Sequence, residues 1–106
     1  MTDVIVVGGG PAGMMAAGRA AELGASVLLV EKNPSLGKKL LISGGGRCNF
    51  TNAEPDVRAL ADHYGDARNA LLSPFHKFPS TETLAWFEAQ GMPWKVEENH
   101  RAFPRD

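Results

Sequence analysis

The chain has 106 residues, with 11 Lys and Arg against 12 Asp and Glu and a formal net charge of −1. That length suits one small domain and is too short for two, and the balanced charge gives no electrostatic case for nucleic acid or an acidic membrane surface. Cys48 is the only cysteine, which excludes an internal disulfide and a cysteine-based zinc site, and His63, His76 and His100 stand too far apart to suggest a metal.

A chain of this size buries only about 60–70% of the surface that its unfolded form exposes, so each piece of core counts. The apolar start at Val4–Val7 is not a secretory signal. Asp3 precedes it, no basic segment does, and glycines follow at once. No apolar run has the length needed to span a bilayer. The expected setting is cytoplasmic and reducing.

Val4 to Val7 is an unbroken apolar run, which predicts a strand buried on both faces, as in a parallel sheet. Pro11 suits the first turn of a helix, where its missing N–H costs nothing. Ala12 to Leu23 continue that helix, with Arg19 and Glu22 as polar positions and Gly24 where a terminating glycine belongs. Gly18 inside it costs about 1 kcal/mol relative to alanine, and close helix–sheet approach is the expected compensation. Ser26 to Val30 is a second apolar strand with Glu31 at its end. Strand, glycine turn, helix and strand make a right-handed βαβ crossover.

Asn33–Pro34–Ser35 marks a turn, followed by the basic pair Lys38–Lys39 and the apolar Leu40–Leu41–Ile42. Ser43 to Asn52 has the composition of a loop. Val57–Tyr64 and Ala67–Leu72 predict short helices broken at Gly65 and Pro74. A stronger helix starts with Ser80 or Thr81 as N-cap, packs Leu84, Phe87 and Ala85, and ends at Gly91. Trp94–Glu97 and Arg101–Phe103 predict two strands joined by a tight turn around Asn99. Trp86, Trp94, Phe75 and Phe78 are expected to pack.

Gly8–Gly9–Gly10–Pro11–Ala12–Gly13 is a G-x-G-x-x-G run between a strand and a helix. Gly8 permits the tight turn, Gly10 lets a pyrophosphate approach the backbone, and Gly13 lets the helix lie on the strand. The pyrophosphate then meets free N–H groups and the positive end of the helix dipole. Glu31 lies 18 residues beyond Gly13, where a carboxylate accepts from both ribose hydroxyls and repels a 2′-phosphate. These features together predict a dinucleotide site.

The run Ser43–Gly44–Gly45–Gly46–Arg47–Cys48–Asn49 holds three consecutive glycines. Such a run suits a backbone that passes close to a ligand. Arg47 offers a cation to phosphate or to an anionic reduced flavin. A lone cysteine is more often a small packed residue than a nucleophile, which is the expectation for Cys48.

These segments, with Val30–Glu31–Lys32, Gly37–Lys38–Lys39–Leu40–Leu41–Ile42, Phe50–Thr51–Asn52 and Arg101–Ala102–Phe103–Pro104, resemble the BaiN-like flavoproteins. Those proteins are also described as aminoacetone-oxidase-like, NAD(P)/FAD-dependent oxidoreductases. The resemblance covers the whole chain, and its SGGGRCN stretch is far more specific than the glycine fingerprint. It implies an α/β fold of the two-dinucleotide-binding-domain flavoprotein type, with a Rossmann-like FAD-binding βαβ unit that is incomplete here.

Carried over, the resemblance puts Gly8, Gly10, Pro11, Ala12 and Gly13 on the pyrophosphate. Glu31 goes to the adenosine ribose, with Lys32 beside it. Lys39 and the loop Gly44, Gly45, Gly46, Arg47, Cys48 and Asn49 approach the flavin end. No catalytic acid or base is assigned, since the isoalloxazine carries the redox chemistry. NAD(P)H or the substrate would supply electrons, and the substrate itself is not specified.

Members of that family are several hundred residues long, so the resemblance implies an N-terminal segment of one FAD-binding domain. In it, residues 1–52 form the βαβ unit and loop, and residues 53–106 a helical segment and hairpin. The remainder of such an enzyme would then be a partner, and an apolar face and strand edges would stand uncovered. The alternatives are an NAD-dependent dehydrogenase segment and a non-catalytic truncated remnant.

Overall fold

A computed structural model describes residues 1–105, and Asp106 lies outside the described residues. The chain divides into two compact units, Met1–Gly46 and Arg47–Asp106.

In the first unit, β1 (Val4–Val7) and β2 (Val27–Val30) pair in parallel, with Val6 beside Leu29 and Val7 beside Val30. The helix α1 (Pro11–Glu22) connects them and packs on both. Pro11 takes the first helical position as predicted. Gly24 terminates the helix in a left-handed conformation. Its N–H donates to the Ala21 carbonyl at 3.0 Å and the Ala25 N–H donates to Ala20 at 3.1 Å, so two end carbonyls are satisfied. The helix α2 (Lys38–Ile42) follows, where the sequence shows only a basic pair and an apolar triplet.

The strands are not buried on both faces. Alternation places Val6, Val27 and Leu29 partly under cover, while Ile5 is 62% exposed, Val7 84%, Leu28 50% and Val30 46%. One helix covers one face of a two-stranded sheet, and the other face stays open. Gly18 also departs from expectation. A Cβ there would meet nothing within 4 Å, so no close approach offsets its cost.

The second unit is built on a three-stranded antiparallel sheet in the order β3 (Thr51–Asn52), β5 (Arg101–Pro104), β4 (Trp94–Glu97). The β4–β5 hairpin lies where the sequence predicts it, with Asn99 and His100 at positive φ in the turn. β3 falls inside the stretch read as loop, because two residues carry no periodicity of their own. It exists by pairing with β5, Thr51 opposite Ala102.

Around this sheet run α3 (Val57–Asp62), α4 (Arg68–Lys77) and α5 (Ser80–Ala89). The Asp56 side chain caps α3 by accepting from the Arg58 N–H at 3.0 Å. Pro74 does not break α4, which runs through it for ten residues. The cost of the missing N–H falls on the Ala70 carbonyl at an exposed site. The N-cap of α5 is Pro79, one residue before the predicted Ser80, and the Thr83 hydroxyl donates to the Pro79 carbonyl at 3.4 Å.

The core holds Leu60, Ala61, Leu84, Ala102 and Phe103, with Ser80 also buried. Burial of a side chain such as Phe103 stabilises by about 1.5–3 kcal/mol. Phe50 meets Phe87 edge-on at 4.9 Å, and Phe87 meets Trp86 at the same distance. Ala85 and Phe78 are exposed, contrary to the packing roles expected of them.

Candidate dinucleotide-binding site

The β1 strand ends at Gly8, whose φ of 104° turns the chain out of the sheet and into α1. A Cβ at Gly13 would collide with the Gly8 carbonyl and stand 3.5 Å from Val6 Cγ1, so only glycine lets the helix start this close to the strand. No side chain caps α1, and its first backbone bond is the Met14 N–H to Gly10 carbonyl at 2.9 Å. Among the described residues, the Ala12 and Gly13 N–H groups have no protein acceptor. Pro11 has none to satisfy. The first turn therefore presents free donors at the positive end of a helix.

Gly10 has φ −79°, and a Cβ there would touch nothing. The space over it is open, as an approaching pyrophosphate requires.

Glu31 closes the opposite side. Its Oε1 accepts from the Gly9 N–H at 2.7 Å and its Oε2 from the Asn33 N–H at 2.7 Å. These two donors, Asn33 first and Gly9 second, hold the carboxyl below the ordinary glutamate value, with a smaller contribution from the neighbouring Lys32 charge. Each oxygen keeps a further lone pair for a ligand hydroxyl.

Gly9, Gly10, Glu31, Asn33, Lys38 and Lys39 share one cavity of about 340 Å³, which Ser35, Gly37 and Ile42 also line. Lys39 thus stands on the same cavity as Glu31. The Gly9 and Asn33 contributions are not visible in the sequence, whereas the Lys38–Lys39 pair reads there as either a phosphate contact or a solvated basic pair. Gly9 reads there as a spacer and Asn33 as a turn residue, and the available signal was the Asn33–Pro34 turn directly behind the acid.

The glycine-rich loop bends through left-handed conformations at Gly44, Gly45 and Gly46, with φ of 59°, 67° and 87°. Arg47, Cys48 and Asn49 belong to the second unit. Arg47 donates to Glu97 at 2.9 Å and lies 4.1 Å over the buried Phe103 ring, while Lys95 and Arg101 also reach Glu97 at 3.5 and 4.0 Å. The Arg47 hydrogen bond is the main cause that lowers the Glu97 carboxyl below its ordinary value. Cys48 is a free, partly buried thiol with φ 65°. The Asn49 amide nitrogen, with the amide turned to face acceptors, donates to the carbonyls of Thr51 at 3.0 Å and Ala102 at 3.2 Å. His63, His76 and His100 are exposed, and no cluster able to hold a metal exists among the described residues.

Residues 2–106 match the sequence profile described as HI0933-like protein Rossmann domain. The chain belongs to the HI0933-like family. It is 48% identical over 102 residues to the ribosomal RNA dihydrouridine synthase of Haemophilus influenzae, which covers 96% of this chain and 25% of that protein. The protein of that name in Escherichia coli is 50% identical over 50 residues, 47% of this chain and 12% of the relative. The 3-dehydro-bile acid delta(4,6)-reductase of Clostridium scindens is 33% identical over 94 residues, 87% of this chain and 22% of the relative. The chain therefore spans a quarter or less of the length of these relatives. In this HI0933-like domain the β1–α1–β2 unit is the Rossmann element, and no helix among the described residues is long and apolar enough to cross a membrane.

Proposed function

We propose that the chain binds FAD through the β1–α1–β2 unit and forms the FAD-binding N-terminal portion of a flavin-dependent oxidoreductase. The observation that carries this is the single cavity in which the glycine turn, the open space over Gly10 and the Glu31 carboxylate converge. The free N–H groups of Ala12 and Gly13 would hold the pyrophosphate, and Glu31 would accept from the adenosine ribose. The Lys38 and Lys39 ammonium groups would balance phosphate charge.

FAD, when bound, supplies two-electron redox chemistry at its isoalloxazine. The part of the chain described by this site is to bind and orient the ADP half. FAD is favoured over NAD by the SGGGRCN resemblance. Redox chemistry is supported by relatives named as reductases, including the digeranylgeranylglycerophospholipid reductase of Thermoplasma volcanium, 36% identical over 80 residues. Under this reading NAD(P)H or the substrate reduces the flavin. A cytoplasmic setting suits the single unpaired cysteine. We assign Arg47, Cys48 and Asn49 to the flavin end on the resemblance alone.

Gly10→Ala tests the site. Its methyl meets nothing in the unliganded chain, so stability should hold while FAD affinity falls tenfold or more, by about the cost of keeping a pyrophosphate off the backbone. A stable variant that binds FAD as tightly as the parent would remove the cavity as the cofactor site.

A further inference from the structure

Gly9 is buried and bonded on both sides to the segment that carries Glu31. Its N–H donates to Glu31 Oε1 at 2.7 Å, and its carbonyl accepts from the Gly37 N–H at 2.8 Å. A Cβ at Gly9 would overlap Leu36 Cδ2 and stand 3.2 Å from both Cβ and Oε1 of Glu31. Its φ is not positive, so turn geometry is not what demands glycine here. The demand comes from Leu36 and Glu31 lying against it.

The Asn33 N–H completes the arrangement by donating to Glu31 Oε2. A carboxylate gripped through both oxygens loses its terminal rotation, and its remaining lone pairs keep a fixed direction.

We propose that Gly9 is a positioning residue for ribose recognition: its N–H and its missing Cβ hold the Glu31 carboxylate aimed before a nucleotide arrives. This rests on the dinucleotide reading and extends it, since the spacer position between the first two fingerprint glycines then takes part in choosing ribose over deoxyribose. The gain is one of preorganisation. An acceptor already fixed in place spends no ordering entropy when the 2′-hydroxyl binds.

The experiment compares ADP with 2′-deoxy-ADP, titrated into the full chain and into Gly9→Ala. The parent should prefer ADP by about tenfold, the effect of one hydrogen bond to a charged acceptor. In Gly9→Ala the ADP affinity should drop to that of 2′-deoxy-ADP, which itself stays within about twofold of its parent value. A preference that survives the substitution overturns the positioning role, and so does equal weakening of both nucleotides. A parent that binds the two alike overturns the ribose reading itself, which is a different failure.

Should Gly9→Ala not fold, an ester in place of the Gly8–Gly9 amide removes the donor and adds no side chain. Joining a synthetic 1–47 segment to 48–106 at Cys48, the only cysteine, gives access to it. Loss of the ADP preference in that ester supports the assignment, and an intact preference overturns it.

Discussion

The Glu31 carboxylate, at the end of β2, accepts from backbone N–H groups on both of its oxygens. Two backbone donors, with Asn33 ahead of Gly9, favour its ionised form and hold its pKa below the unfolded value. Ionised Glu31 therefore contributes stability that is present above the unfolded carboxylate pKa and is lost as pH falls through the lower folded value. Glu31→Gln should unfold at lower denaturant than the parent at neutral pH. The gap should narrow at a second pH well below the ordinary carboxylate range, where the parent is losing its own carboxylate. Denaturant midpoints at the two pH values check this, and an equal gap at both contradicts it. The Glu97 carboxyl, lowered mainly by Arg47, titrates in the same sense and is intact in both proteins. What the spacing does not reveal is that the acid is held by Gly9 and Asn33, because backbone N–H groups leave no mark in residue type.

At the scale of elements, β1, α1, β2 and the β4–β5 hairpin follow from local signals, each bounded by a proline, a glycine or an asparagine at the position its turn requires. Within α1, Gly18 stays exposed with free space about it. Gly18→Ala should raise stability by about 1 kcal/mol, the helix-propensity difference, and a thermal or urea melt reads it directly. A loss instead would mean that a neighbour comes close to Gly18. The illegible elements fail for physical reasons. β3 is two residues whose partner, β5, lies some fifty residues on, so nothing local announces it. α4 continues past Pro74 because flanking turns hold the helix on either side, with the Phe78 N–H closing its end on the Pro74 carbonyl at 2.9 Å. The even apolar composition of Val4–Val7 does not show that only Val6 among the four is partly covered. A buried face and an open face of valines read alike.

At the scale of the molecule, the first unit carries the candidate site on a two-stranded sheet with Ile5, Val7, Leu28 and Val30 open on one face. An apolar face of this kind is unusual on a finished monomer surface. The pyrophosphate and ribose contacts proposed above are all local to that unit, Met1–Gly46. Binding of the ADP half is accordingly expected of this chain by itself. FAD and FMN test this, because FMN carries the same isoalloxazine and lacks the adenylate. Equilibrium titration of the purified chain with each, followed by flavin fluorescence, is the most direct measurement. The account predicts saturable one-to-one binding of FAD and none of FMN at the same concentrations. Equal binding of the two, or no binding of FAD, would contradict it.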